Sequence, residues 1–147
     1  MVNPRRSRQR LPGHSFHTPY EARIHVHTTL LRWGAPRHVA DDLRLIVSEL
    51  TTNAVEHTRT QHVDVSVLMT DDEAAVVVVD RGPHCRPEPH QAGGEDEHGR
   101  GLAVVETLAT RYVARPFGEG TAVWASITFA DHSTPHEDQA DAARTHP

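Results

Sequence analysis

The sequence predicts an α+β fold, a two-layer sandwich with helices packed on one face of a mainly antiparallel sheet. Three observations predict it. Two stretches before residue 58 place apolar residues at helical spacing, and two strand-like stretches follow with only Asp71-Asp72-Glu73 between them. After a long aperiodic loop, one more helical stretch precedes a closing hairpin. Helices and strands that segregate along a chain in this way build helices layered on an antiparallel sheet.

The first 13 residues hold Arg5, Arg6, Arg8 and Arg10 with Pro12 and Gly13, and read as a flexible basic arm. Thr18-Pro19-Tyr20-Glu21 has the form of a capping box with proline at the first helical position. The helix it opens carries Ala22, Val26, Leu30 and Trp33 inward and ends at Gly34, before Pro36. A second helix is predicted from about Arg37 to His57, with Leu43, Ile46, Val47, Leu50 and Ala54 as its apolar stripe.

From His62 to Met69 the residues Val63, Val65, Val67 and Met69 alternate as in a half-buried strand. Ala74 to Asp80 contains four consecutive valines, which suits a central strand. Residues 83–98 have no periodicity and form a lid-like loop rich in proline, histidine and acidic residues. Helical spacing returns with Leu102, Val105, Leu108 and Ala109. Tyr112 to Arg115 and Thr121 to Phe129 then pair around Gly118-Glu119-Gly120. Residues 131–147 lack apolar periodicity and read as a disordered tail, so the folded domain should occupy 14–130.

Composition narrows the function. At 147 residues the chain holds one domain with a real two-layer core. It has no apolar run long enough for a membrane span and no signal-peptide pattern, and its single cysteine, Cys85, suits a reducing compartment. The expected location is therefore cytoplasmic. A net charge of −5 argues against direct nucleic-acid binding. All 15 basic residues are arginine. The absence of lysine excludes the phosphate loop whose lysine reaches the terminal phosphates, so a nucleotide must be held by other means.

Four short segments carry the candidate chemistry. At about 100° per residue, with Leu43 at zero, Glu49, Asn53 and His57 fall at about 240°, 280° and 320°, along the margin of the apolar face. An amide oxygen from Asn53 suits magnesium, which takes oxygen ligands and shares them with phosphates. Glu49, one turn away, is placed to accept a proton from an attacking water or hydroxyl. The competing reading is an ordinary amphipathic helix with a polar margin. Asp80 ends an apolar strand before Arg81-Gly82, where its carboxylate could accept from an adenine amino group or simply cap the turn.

Gly99-Arg100-Gly101 opens a helix, where free backbone N–H groups and an arginine favour phosphate, or is an ordinary glycine pair before a helix. Thr121, after Gly120, could offer its hydroxyl to the base or belong to a plain strand. His57 either touches a phosphate or only finishes its helix. Thirteen histidines also invite a metal, but His25-x-His27 diverges on a helix and His84, Cys85, His90 and His98 match no zinc spacing.

In order and spacing these segments resemble the Bergerat-type ATP-binding fold shared by sensor histidine kinases, type II topoisomerase ATPase domains and related chaperones. They resemble most the small single-domain branch, the bacterial anti-sigma factor serine/threonine kinases. Val47-Ser48-Glu49-Leu50-Thr51-Thr52-Asn53-Ala54-Val55-Glu56-His57 is similar to that branch's N-box. Asp80-Arg81-Gly82 and Gly99-Arg100-Gly101-Leu102 are similar to its two glycine boxes, and Gly120-Thr121-Ala122-Val123-Trp124-Ala125 to its closing strand.

The resemblance, over about residues 14–129, implies ATP and magnesium as cofactors. Asn53 would be the metal ligand, Glu49 the base and Asp80 the adenine partner, with Gly99 to Leu102 on phosphates. It implies binding to a sigma factor and phosphorylation of a serine or threonine on an anti-anti-sigma (STAS-type) protein, commonly by a homodimer. A non-catalytic nucleotide-dependent module that sequesters a regulatory protein is the alternative. The chain departs from the pattern at Pro83-His84, where many relatives have another glycine, and in its acidic Glu95-Asp96-Glu97.

Overall fold

The computed structural model describes residues 3–83 and 103–129. The elements are β1 (Arg5–Pro12), α1 (Thr18–Arg32), α2 (Arg37–His57), β2 (His62–Met69), β3 (Glu73–Asp80), β4 (Arg111–Phe117) and β5 (Gly120–Thr128), with a further helical stretch over 103–108. Five strands form one antiparallel sheet in the order β1-β2-β3-β5-β4, and α1 and α2 pack against each other and against the sheet. This is the two-layer α+β sandwich the sequence predicts.

The valine run of β3 occupies the sheet centre because both of its neighbours, β2 and β5, also present small branched or apolar residues. Across the core face, Val76 pairs with Val67 and Ala125, and Val78 with Val65 and Val123. Val65, Val67 and Val76 are fully buried beneath Val26 and Leu30 of α1 and Leu43, Ile46 and Val47 of α2. Each such side chain contributes about 1.5–3 kcal/mol on burial. The anticipated stripe of α2 is buried from Leu43 to Ala54, and Val105 anchors the 103–108 stretch in the same core.

The N-terminal segment differs from expectation. Arg5–Pro12, read from sequence as part of a flexible arm, is an eight-residue strand paired along its length with β2. Only Leu11 of its apolar residues is buried, so hydrophobic periodicity does not reveal it. Its register is held instead by a charge on the face of the sheet away from the helices. Asp64 of β2, 3 % exposed, receives Arg10 Nε at 2.9 Å, Arg8 Nη2 at 3.2 Å and Arg81 Nε at 3.5 Å. Burial by itself raises the Asp64 carboxyl, and the hydrogen bonds and charges of Arg10 and Arg8 outweigh it, leaving the group below the usual carboxylate range. On the same face Arg111 stacks on Trp124 at 5.0 Å and Arg81 on Phe117 at 5.3 Å.

The start of α1 also departs from the capping-box reading. Its N-cap is His17, with no side-chain cap, and the Thr18 hydroxyl donates instead to the Pro12 carbonyl. That bond ties the helix to the end of β1, a use available only once β1 is a strand. The helix ends as anticipated: Ala35 N–H donates to Leu30 O at 2.9 Å and Gly34 N–H to Leu31 O at 3.0 Å, the paired bonds of a Schellman motif.

Candidate functional site

The site grows from one end of the sheet and the helix lying over it. α2 packs on β3 and β5 and ends at His57, while β3 ends at Asp80. A short connector joins these two ends. Thr58 Oγ1 donates to Ala54 O at 2.6 Å, closing the last turn of α2. Thr60 Oγ1 donates to His62 O at 2.6 Å and accepts Arg81 N–H at 2.9 Å, and Arg59 N–H donates to Pro83 O at 3.2 Å. Gly82 presses on the same connector: a Cβ there would stand 2.3 Å from Thr60 N and 2.5 Å from Arg59 C. The helix end and the strand end are thereby held together, and Gly82 is required by this contact.

Asp80 lies on the helix-facing side of the sheet, 6 % exposed, with Val63 on one side and Thr121 of β5 on the other. Gly120 brings β5 against it. A Cβ on Gly120 would fall 2.1 Å from the Asp80 carbonyl oxygen and 2.6 Å from its Oδ1, so any side chain there displaces the carboxylate. A carboxylate nearly removed from water at a strand end is a built feature, since isolated burial of a charge is costly. Its acceptor oxygens suit a ligand that brings N–H donors.

Glu49, Asn53 and His57 follow one flank of α2, and all three are half-buried, as the helical wheel anticipates. Within the described residues, Glu49 and Asn53 engage no side chain in a hydrogen bond or ion pair. Their neighbours are committed elsewhere. Thr51 Oγ1 donates to Val47 O at 2.7 Å, and Arg23 Nη1 of α1 donates to Ser48 Oγ at 2.9 Å. His57 Nε2 stands 3.8 Å from Glu56 Oε2. The flank thus presents a carboxylate, an amide and an imidazole at one-turn intervals on a helix braced by α1. The amide oxygen of Asn53 fits a hard divalent cation, Glu49 one turn away fits a general base beside it, and Asp80 fits a base with an exocyclic amine.

Gly99, Arg100, Gly101 and Leu102, assigned to phosphates, and the loop over 84–98 lie outside the described residues. Among the described residues no cluster of histidine, cysteine and carboxylate side chains could hold a metal on its own, and no helix is long and apolar enough to cross a membrane. Sequence reasoning missed Thr58 and Thr60, which fasten the site together. The one signal for them is the run Thr58-Arg59-Thr60 directly after a helix, where hydroxyls compete for backbone partners.

Fold and site together define a two-layer ATPase-type domain, in which a helix bearing an acid and an amide overlies a strand that ends in a buried aspartate. The chain belongs to the histidine kinase-like ATPase domain family, whose sequence profile matches residues 19–127. Among solved structures it is similar to the RsbU and RsbW domains of a Mycobacterium tuberculosis protein, with 19% identity and a TM-score of 0.62. That similarity takes in 82% of this chain but 32% of the solved one, so the present chain spans about a third of its length. No curated protein is a significant sequence match.

Proposed function

We propose that this chain is an ATP-binding anti-sigma regulatory factor with serine/threonine kinase activity toward an anti-anti-sigma (STAS-type) protein, acting in the cytoplasm by partner switching. The observation that carries the proposal is the pairing of an acid–amide flank on α2 with the buried Asp80 that Gly120 admits. Family membership supports nucleotide binding, and the similarity to a solved structure containing an RsbW domain supports the choice of branch.

In this reading Asn53 holds magnesium, Asp80 accepts from the adenine amino group, and Thr121 lies beside it on β5. His57 and Gly82 border the same pocket, and Gly99, Arg100, Gly101 and Leu102 complete it on the phosphates. Magnesium, when bound, neutralises charge on the phosphates. Glu49 would take the proton of the acceptor hydroxyl as the γ-phosphoryl group passes to that oxygen and its bond to the bridging oxygen of the departing ADP breaks. A sigma factor is the proposed sequestered partner, and a homodimer the proposed functional unit.

Calorimetric titration with ATP and a nonhydrolysable analogue, with and without magnesium, tests the pocket. Magnesium-dependent binding that Asn53→Ala abolishes is the expected result. Radiolabel transfer to a purified STAS-type protein then separates kinase from sequestering module. A partner bound without transfer, under conditions where ATP is also bound, would replace the kinase reading with the non-catalytic one.

A further inference from the structure

At the β1 end of the sheet, strand β1 and helix α1 enclose a groove of about 570 Å³. Arg6, Ser7 and Gln9 line it from the strand, and Ile24, His25 and Arg32 from the helix. Three properties set this groove apart from an ordinary crevice. First, β1 closes the strand order and pairs only with β2 among the described residues, so alternate N–H and C=O groups along its outer side are directed away from the sheet. Second, Gln9 Oε1 is buried there with no hydrogen-bond donor among the described residues. Third, Ile24 remains 49 % exposed on the helix wall, opposite the strand.

Charge selects the occupant. β1 carries Arg5, Arg6, Arg8 and Arg10 and no acidic residue. Arg8 and Arg10 share Asp64, while Arg5 and Arg6 join no ion pair among the described residues. Arg32 adds a further cation on the helix, against the single carboxylate of Glu21. A second copy paired along this edge would set arginine against arginine, and like charges facing across strands are destabilising. An acidic strand reverses that sign.

We propose that the β1–α1 groove is a strand-addition site for an extended acidic segment of a partner protein. The segment pairs its main chain with the open edge of β1, the mode by which sheet-edge domains take extended peptides. Its side chains alternate with a period of two. One set enters the groove, where an apolar side chain packs on Ile24 and an amide or hydroxyl donates to Gln9 Oε1. The other set brings carboxylates to the arginines. The site is independent of the nucleotide reading, since it lies on the sheet edge and Asp80 and Thr121 lie on β3 and β5.

The test titrates isotopically labelled full-length protein with blocked heptapeptides in which aspartate alternates with valine, leucine, threonine or glutamine. The expected result is amide shifts confined to β1 and α1, with affinity that falls as salt rises. Arg6→Glu, at an exposed position of the strand, should weaken binding tenfold or more. Methylating alternate peptide nitrogens should abolish binding in one phase and spare it in the other, because only one set of peptide N–H groups faces the edge. Equal binding of lysine-for-aspartate peptides, or indifference to the phase of methylation, overturns the proposal. So does failure of every peptide to bind at millimolar concentration. Peptide-free sedimentation showing a dimer that Arg6→Glu alters, or shifts of the β1 amides by a single-stranded oligonucleotide alone, would assign the edge to another occupant.

Discussion

Gly120 stands so close to Asp80 that its missing side chain is what makes room for the carboxylate: a Cβ would lie 2.6 Å from Asp80 Oδ1 and 2.1 Å from the Asp80 carbonyl oxygen. The register that pairs Asp80 with Thr121 brings the two into contact, at the point where β5 emerges from its hairpin. Gly120→Ala therefore forces β5 or Asp80 to move. The expected cost is about 1–3 kcal/mol of stability, as for other overpacked sites. ATP affinity should fall with it. Gly118→Ala is the control: φ is 58° and nothing lies within 4 Å, so about 1 kcal/mol of backbone strain is expected with ATP affinity unchanged. Denaturation midpoints and calorimetry on both variants check the contrast.

Thr60→Val keeps the shape of the connector and deletes its hydroxyl. His62 O then loses a donor and Arg81 N–H an acceptor, both supplied by Thr60, which is 3 % exposed. A loss of about 1–3 kcal/mol is expected from removing two part-buried hydrogen bonds at about 0.5–1.5 kcal/mol each. Hydrogen exchange should localise the change to residues 58–62 and 80–83, with the α1–α2 contact unaffected.

Asp64→Asn tests the charge that sets β1. Hydrogen bonds to charged groups contribute about 1.5–3 kcal/mol, and a loss in that range is expected in urea unfolding. The pH dependence has a definite sign. The folded carboxyl lies below the unfolded value of about 3.9. Its stabilisation is complete above that value and is lost as pH falls through the folded pKa. The wild-type midpoint should drop steeply in that acid range, and the asparagine variant should show a shallower fall.

His25 gives a second window. Burial, and then the charge of Arg32, holds its ring below the ordinary histidine value of about 6.5. Between that value and the lower folded one, the unfolded chain binds a proton that the native chain refuses. Stability therefore declines as pH is lowered through the window. His25→Gln should flatten this part of the profile, as read from midpoints on either side of pH about 6.5.

The two residues of the α2 flank should separate binding from transfer. Asn53→Ala is expected to weaken magnesium-dependent ATP binding tenfold or more, equivalent to about 1.4 kcal/mol. Glu49→Gln should leave ATP affinity within about twofold while phosphoryl transfer to a STAS-type protein disappears, since a general base typically contributes 10²–10⁴-fold. Glu49→Gln with undiminished transfer would remove Glu49 from the proposed mechanism.

The helices were legible because burial alone dictates them. The α2 stripe from Leu43 to Ala54 repeats at helical spacing, and the helix runs from Arg37 to His57 as that spacing requires. Alternation of Val63, Val65 and Val67 marked β2 for the same reason. The flank positions of Glu49, Asn53 and His57 followed from the wheel, which a regular helix obeys wherever it packs. Strand β1 was illegible because its partner, Asp64, lies 54 residues beyond Arg10 and contributes charge rather than apolar surface.

Sequence by itself thus determined the elements whose stability is local or periodic, and with them the α+β class and the flank of polar residues on α2. Only the tertiary structure decided what depends on distant segments meeting. It made a strand of an arginine-rich terminus, turned the Thr18 hydroxyl from its own helix to Pro12, and set Gly120 and Gly82 to work as close contacts. The physical reason is range. Periodicity records which side of an element is buried, whereas a buried carboxylate and the glycine that admits it acquire meaning only when the sheet register brings them together.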